Sequence, residues 1–461
     1  MADRYDAARP DAERNRFAGR LQRYAKVGAN VGGVATRVAA SRAFGRGDDA
    51  SNAAELARAL GGLKGPLMKV AQLLATIPDA VPPEYAAEMM KLQADAPPMG
   101  WAFVKRRMAA ELGPGWKSRF ESFEHHPTSA ASLGQVHKAV APDGSPLACK
   151  LQYPDMASAV DADIRQLRGL FGLYKRMDRA VDATEIVDEI ADRVREELDY
   201  EREAKHAKLY AAIFPDGTDG VRIPRIRDEL STGRLLTMDW LDGGRLLDYR
   251  EAPAETRNTI ATAMFKAWWW PFARHGVIHG DPHLGNYTVW EEEGAPRGIN
   301  LLDYGCIRIF RPSFVTGVID LYHGLRTDDR ARTVEAYRSW GFQGLTDELV
   351  DVLNVWARFI YGPLLDDRTR SVADGINPGE YGRREAFRVH QELKEKGPVR
   401  IPREFVFMDR AAIGLGSAFL HLGAEMNFYD LFNEAIADYS EEALRERQSA
   451  ALDAAGLERP A

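Results

Sequence analysis

The chain has 461 residues and a net charge of −7, with 45% hydrophobic and 28% charged side chains. That is length enough for two or three folding units of ordinary globular composition. An acidic balance argues against nucleic-acid binding, which needs a basic face, and two cysteines, Cys149 and Cys306, are too few for a disulfide framework or a thiolate metal cluster.

Residues 16–36 interleave Phe17, Leu21, Tyr24, Val27, Val31 and Val34 with Arg16, Arg20, Arg23 and Lys26, which predicts a basic amphipathic helix. Such a helix either lies on an anionic membrane surface or packs on its own domain; the pattern alone leaves both open. No secretory leader is expected, because the first fifteen residues carry Asp3, Asp6, Asp11 and Glu13. No run of about 18 apolar residues occurs, so no spanning helix is expected either. A linker at 44–52 precedes helices at 53–76 and 84–94, which Pro78, Pro82 and Pro83 separate. From 119 to 153 the texture turns to short apolar runs, and Asp143-Gly144 between 135–141 and 146–152 predicts a β-hairpin. Residues 183–214 read as one long charged helix, and 234–241 as a buried strand closed by Gly243-Gly244. Trp268, Trp269, Trp270, Pro271 and Phe272 read as a buried helix segment, followed by a strand–loop–strand patch from 277 to 309 and then mostly helix. Both cysteines sit in apolar strand-like context and are expected to be buried, inert thiols. The chain is thus α+β, with four parts: 1–50 (amphipathic helix and linker), 51–115 (helical extension), 116–240 (mixed sheet lobe with a helical insert) and 241–461 (helical lobe).

The chemistry concentrates at His279-Gly280-Asp281-Pro282-His283-Leu284-Gly285-Asn286 and at Leu301-Leu302-Asp303-Tyr304-Gly305. Kinase-type phosphoryl transfer needs an aspartate to accept the proton of the attacking hydroxyl and an asparagine five residues on to hold Mg²⁺. It also needs a second aspartate, heading an Asp-aromatic-Gly triplet, to bridge metal and phosphates. Asp281, Asn286 and Asp303 have that order and spacing, and hard cations take oxygen ligands from such short side chains. Upstream, Lys150 in the apolar strand Leu147–Leu151 fits the lysine aimed at the α- and β-phosphates of ATP. Its glutamate partner must come from 183–214, where Glu196, Glu197, Glu201 and Glu203 all qualify. The usual glycine-rich phosphate loop is absent, and Ser129-Ala130-Ala131-Ser132-Leu133-Gly134-Gln135-Val136 stands in its place. Alanine forbids backbone conformations open to glycine, so this loop is expected to be stiffer and more restrictive toward nucleotide. Ser132 and the loop amides remain as donors to phosphate.

In this order, over roughly residues 60–310, the motifs resemble the UbiB-type atypical kinase family, whose members support ubiquinone biosynthesis. Ala130–His137 is similar to the family's alanine-rich loop, Glu197-Leu198-Asp199 to its Glu-x-Asp motif, and Lys69-Val70-Ala71-Gln72 to its Lys-x-Gly-Gln motif, with Ala71 in place of glycine. The resemblance implies a protein-kinase-like two-lobe fold with ATP and Mg²⁺ as cofactors. It implies nucleotide binding by Ala130, Ala131, Ser132, Gly134, Lys150, Glu197, Asp199 and Glu203, the last as partner of Lys150 across an interval of 53 residues. It places metal binding at Asn286 and Asp303 and catalysis at Asp281, with Lys69 and Gln72 on an extension that folds over the active site and restricts protein substrates. The activity implied is that of an atypical kinase or ATPase supporting quinone or isoprenoid-lipid biosynthesis. A lipid or quinone precursor is the implied partner, and a second copy of the chain is a further candidate. The implied location is cytoplasmic, with peripheral contact at the inner membrane. Leu284 and Tyr304 depart from the family's usual proline and phenylalanine at positions that touch no metal-binding atom. Family members often end in two spanning helices, whereas residues 400–461 here finish in Glu441, Glu442, Arg445, Glu446 and Arg447, as a soluble branch would. Two other readings share parts of the pattern. A small-molecule phosphotransferase of the aminoglycoside or choline kinase type has the His-Gly-Asp motif but lacks the Lys69–Gln72 segment, and a pseudokinase scaffold would bind nucleotide without turnover.

Overall fold

The structure is a computed structural model that describes residues 98–130, 133–154, 191–192, 194–342, 344–374 and 403–460, with isolated positions between 156 and 165. The helices expected at 16–36, 53–76 and 84–94, nearly all of the insert at 157–182, and Lys69, Gln72, Ala131 and Ser132 lie outside the described residues.

The chain runs through helix α1 (Trp101–Leu112) and strands β1 (Ser122–Phe123), β2 (Ser129–Ala130), β3 (Gly134–Val140) and β4 (Pro146–Gln152). Helix α2 (Tyr200–Ile213), strands β5 (Val221–Arg222) and β6 (Leu235–Asp239) and helix α3 (Ala254–His275) follow. Four short strands come next: β7 (Val277–His279), β8 (Tyr287–Glu292), β9 (Ala295–Leu301) and β10 (Ile307–Ile309). The chain ends in helices α4 (Pro312–Thr327), α5 (Arg330–Ser339), α6 (Asp347–Tyr361), α7 (Arg403–Leu422), α8 (Phe428–Ile436) and α9 (Glu441–Ala455). It divides into two compact units, the first holding the described residues up to 201 together with 227–240, the second holding 202–226 and everything from 241 on.

The first unit is built on an antiparallel sheet in the order β1-β3-β4-β6, with β2 also on β3. The predicted hairpin forms as β3 and β4, and Asp143 Oδ1 stabilises its turn by accepting from the Ser145 N–H at 2.9 Å. Side chains alternate along a strand, so Leu147, Cys149 and Leu151 of β4 enter the core beneath Phe103, Val104 and Met108 of α1. Lys150 is left on the opposite face, with Val136 and Leu236 as its cross-strand neighbours. Burial pushes the Cys149 thiol up to about 12, so it is inert as expected. Cys306 departs from that expectation, being only half-buried.

A single helix over 183–214 does not form. Leu198 N and Asp199 N close onto Arg195 O and Glu196 O at 3.1 Å each, the tight i to i+3 bonds of a helix end, and α2 starts afresh at Tyr200. The physical reason lies in the sheet: Gln152 Nε2 at the end of β4 donates to the Leu198 carbonyl at 3.0 Å and takes it from the helical ladder.

The second unit is organised around α3, whose Trp268, Trp269, Trp270, Pro271 and Phe272 are all buried, as read from the sequence. The patch at 277–309 is more elaborate than a strand–loop–strand. β7 pairs with β10, while β8 and β9 form a second antiparallel pair to which β5 adds in parallel. Here β5 and β9 approach so closely that a Cβ at Gly298 would overlap the Gly220 carbonyl. Backbone lies on both sides and cannot yield as a side chain would. Gly298→Ala is therefore expected to lose on the order of 3 kcal/mol, the upper end for overpacking. The urea midpoint followed by circular dichroism reads this directly, and an unchanged midpoint would mean that the strands slide apart at no cost.

Candidate active site

The ribbon of β7 and β10 sets the site, because it holds the His279-Gly280-Asp281 turn against the chain leaving Asp303. Gly280 N–H donates to the Cys306 carbonyl at 2.7 Å. A Cβ at Gly280 would stand 2.9 Å from that oxygen and 3.1 Å from Cys306 Sγ, which is the local reason for glycine in the motif.

His279 is fully buried and does more than head the motif. Its Nε2 lies 2.8 Å from the Asp303 carbonyl, and its Nδ1 lies 3.2 Å from the Asp281 amide nitrogen. A carbonyl only accepts and an amide N–H only donates, so the proton sits on Nε2 and Nδ1 accepts. One imidazole thus braces the backbones of both loops. Trp268 packs against it with ring centroids 5.2 Å apart.

Asn286 ties the same two loops a second time. Its side-chain nitrogen donates to the Asp281 carbonyl at 3.0 Å, and its own carbonyl accepts from Leu302 N at 2.8 Å, one residue before Asp303. Asp303 Oδ1 accepts from Gly305 N at 3.0 Å and so fixes the turn that follows. Tyr304, where the family usually has phenylalanine, is buried, and its hydroxyl donates to Leu301 O at 2.6 Å. Burial holds that phenol well above its ordinary value, so it stays a neutral donor. The Tyr304 carbonyl accepts from His206 Nδ1 at 3.1 Å, which binds α2 to the Asp-Tyr-Gly triplet. Glu203, also buried on α2, is close enough to help raise the Tyr304 phenol.

Asp281, Asn286 and Asp303 are therefore brought together within the second unit. Among the described residues no group of three or more His, Cys, Asp or Glu is placed to hold a metal. The donors offered by Asp303 and Asn286 are one carboxylate and one amide, which fits Mg²⁺: that ion keeps several waters and takes one or two carboxylates beside substrate phosphates. With its nitrogen committed to Asp281, Asn286 has its amide oxygen left as a ligand.

In the first unit Lys150 is half-buried on β4, its Nζ 5.2 Å from the centre of the Tyr200 ring. Ala130 and Gln135 face each other across β2 and β3, so the alanine-rich loop is pinned at its base next to Gly134. Glu197 is half-buried and Asp199 exposed, both in the turn before α2. Sequence reasoning missed His279, His206, Gln135 and His137 as bracing groups. His279 was visible as the residue before Gly-Asp, and Gln135 and His137 as members of the alanine-rich motif, while His206 carried no signal beyond being polar.

Two histidines, the buried His137 and the half-buried His275, add a pH dependence. His137 is lowered from the usual 6.5 by burial above all, and His275 falls to about 4 through burial and then the nearby Arg447. Unfolded, both take up protons below about 6.5 that the folded chain refuses, so their stabilising contribution is complete above that pH and lost as it falls. For His275 the loss approaches about 3 kcal/mol near pH 4. Denaturation midpoints are expected to drop stepwise from pH 7 to 4.5, and a His275→Gln variant to flatten the profile. A flat wild-type profile would contradict the shielding of the two rings from water.

Residues 91–337, just over half the chain, match the ABC1 atypical kinase-like domain. AarF domain-containing protein kinase 1 of Xenopus laevis is 33% identical over 273 residues, covering 58% of this chain and 52% of that protein. Atypical kinase coq-8, mitochondrial, of Caenorhabditis elegans is 28% identical over 365 residues, covering 75% and 48%. The chain thus spans about half the length of these two relatives. Atypical kinase COQ8, mitochondrial, of Saccharomyces cerevisiae is 26% identical over 385 residues, covering 81% and 74%. Among solved structures, Rv3197 of Mycobacterium tuberculosis, in complex with erythromycin, superposes with a TM-score of 0.58 over 89% of this chain and 99% of its own, at 24% identity, a likeness of fold. Domain match, relatives and motif order agree on a kinase-like fold, and this chain belongs to the ABC1, or UbiB, family of atypical kinases.

Proposed function

We propose that the protein is a Mg²⁺-dependent ATP-binding kinase or ATPase that acts in quinone or isoprenoid-lipid biosynthesis at a membrane surface. The observation that carries this reading is the double brace, through His279 and Asn286, that holds Asp281 and Asp303 on adjacent loops. Asp281 is the group that accepts a proton from the attacking hydroxyl or water, and Asn286 and Asp303 hold the metal. When bound, Mg²⁺ supplies positive charge to the phosphate oxygens. Lys150 and Glu203 keep the roles the family resemblance implies, as do Ala130, Ala131, Ser132, Gly134, Glu197 and Asp199 around the nucleotide. Lys69 and Gln72 restrict access for protein hydroxyls.

The lipid side of the reading rests on the resemblance and on the basic amphipathic pattern at 16–36. Among the described residues no helix is long and apolar enough to cross a membrane, so the membrane contact proposed is peripheral. The test is ATP hydrolysis by the purified protein with Mg²⁺, with and without anionic liposomes, using Asp303→Asn as the blank. Lipid-stimulated release that the variant abolishes supports the reading. Release only with a hydrophilic amine or alcohol would replace it with a small-molecule phosphotransferase. Tight nucleotide binding with no release under any condition would replace it with a scaffold.

A further inference from the structure

Gln135 and His137 are polar, lie two residues apart on one face of β3, and are almost completely buried. Burying such groups is costly unless every donor and acceptor is used. Here they are. His137 Nδ1 lies 2.8 Å from the Glu124 carbonyl, which only accepts, so that nitrogen carries the proton. The other, Nε2, then accepts from Gln135 Nε2 at 2.8 Å. This orients the Gln135 amide, whose remaining N–H donates to the Met99 carbonyl at 3.1 Å while its oxygen accepts the Met99 N–H at 2.8 Å. Turning the amide over would set acceptor against acceptor at His137 Nε2 and at the Met99 carbonyl, and donor against donor at the Met99 N–H.

The amide therefore grips the backbone of Met99 through both its polar groups. Met99 lies immediately before Gly100, the N-cap of α1, and follows in sequence the segment that carries Lys69 and Gln72. The other end of the grip is at the base of the alanine-rich loop: Gln135 pairs with Ala130 on one side and with Leu151, next to Lys150, on the other. Aromatic rings flank the assembly, with Phe123 5.4 Å from His137 and Trp101 6.0 Å from Phe123. A leucine at 135 would fill that space without any hydrogen bond, so packing alone does not explain the amide.

We propose that Gln135, held in one orientation by His137, is a positioning residue that fastens the chain entering α1 to the base of the alanine-rich loop. The hold of that loop on nucleotide then depends on this fastening. The proposal rests on the nucleotide-binding reading above.

Gln135→Met keeps the volume and removes the grip. The expected result is loss of hydrogen-exchange protection at the Met99 amide, a five- to tenfold weaker Kd for ATP, and turnover at saturating ATP within twofold of wild type. Met99→Pro deletes the gripped N–H while leaving Gln135 and His137 in place, at the cost of the Met99 side chain's packing on the core, and it is expected to weaken ATP in the same direction. This second variant decides the matter if Gln135→Met does not fold. Lost protection at Met99 with normal ATP affinity would overturn the proposal and leave the nucleotide reading standing. Wild-type protein that binds no ATP would overturn both.

Discussion

Asp303→Asn is expected to weaken Mg²⁺-dependent ATP binding by at least about 100-fold and to remove turnover with it. Changing even an outer-shell partner of a metal ligand typically costs 10–100-fold in affinity or activity, and Asp303 is proposed as a direct ligand. Asparagine retains the shape and an oxygen that can still accept from Gly305 N, the bond Asp303 Oδ1 makes at 3.0 Å. The backbone carbonyl that His279 binds is untouched by the substitution. The fold is therefore expected to survive, so the loss reports charge rather than shape. Calorimetric ATP titrations with and without Mg²⁺, beside melting curves of both proteins, separate the two. Unchanged metal dependence in the variant would contradict the assignment.

Asp281→Asn is expected to behave differently, with turnover lowered by about 10²–10⁴-fold, the range for loss of a general base, and ATP affinity near wild type. The structure gives a reason for the split. Asp281 is braced through its backbone, by His279 at the amide and by Asn286 at the carbonyl. Among the described residues its carboxylate makes no hydrogen bond, so replacing it disturbs neither brace. Steady-state turnover compared with an independently measured ATP Kd checks this, and equal turnover in the variant would remove Asp281 from the role.

Features with a local cause were legible in advance. The hairpin at β3 and β4 follows from Asp143-Gly144 between two apolar runs, because a turn is decided by the residues in it. The buried strand at 235–239 and the buried tryptophans of α3 follow from apolar runs too long to leave in water. The candidate site was legible as spacing: Asp281, Asn286 and Asp303 stand in an order that phosphoryl-transfer chemistry demands, and the fold brings those three together.

What was not legible depends on pairs far apart in sequence. The break before α2 arises because Gln152, at the end of a strand, takes the carbonyl of Leu198, while the charged residues on either side favour helix equally. Gln448 on α9 donates to His275 O and to Phe310 O at 2.8 Å each, so a residue near the C-terminus fastens the end of α3 and the strand after the Asp-Tyr-Gly triplet. Gln448 is buried, yet nothing around it in the sequence distinguishes it from the polar residues of exposed helix positions. His279 is the clearest case, since its two bonds are to backbone groups and leave no complementary side chain to find. Composition, periodicity and turn chemistry act within a few residues and were enough for the elements and the motif. The braces between loops exist only once folding has brought distant polar groups into the dry interior, where each must find a partner.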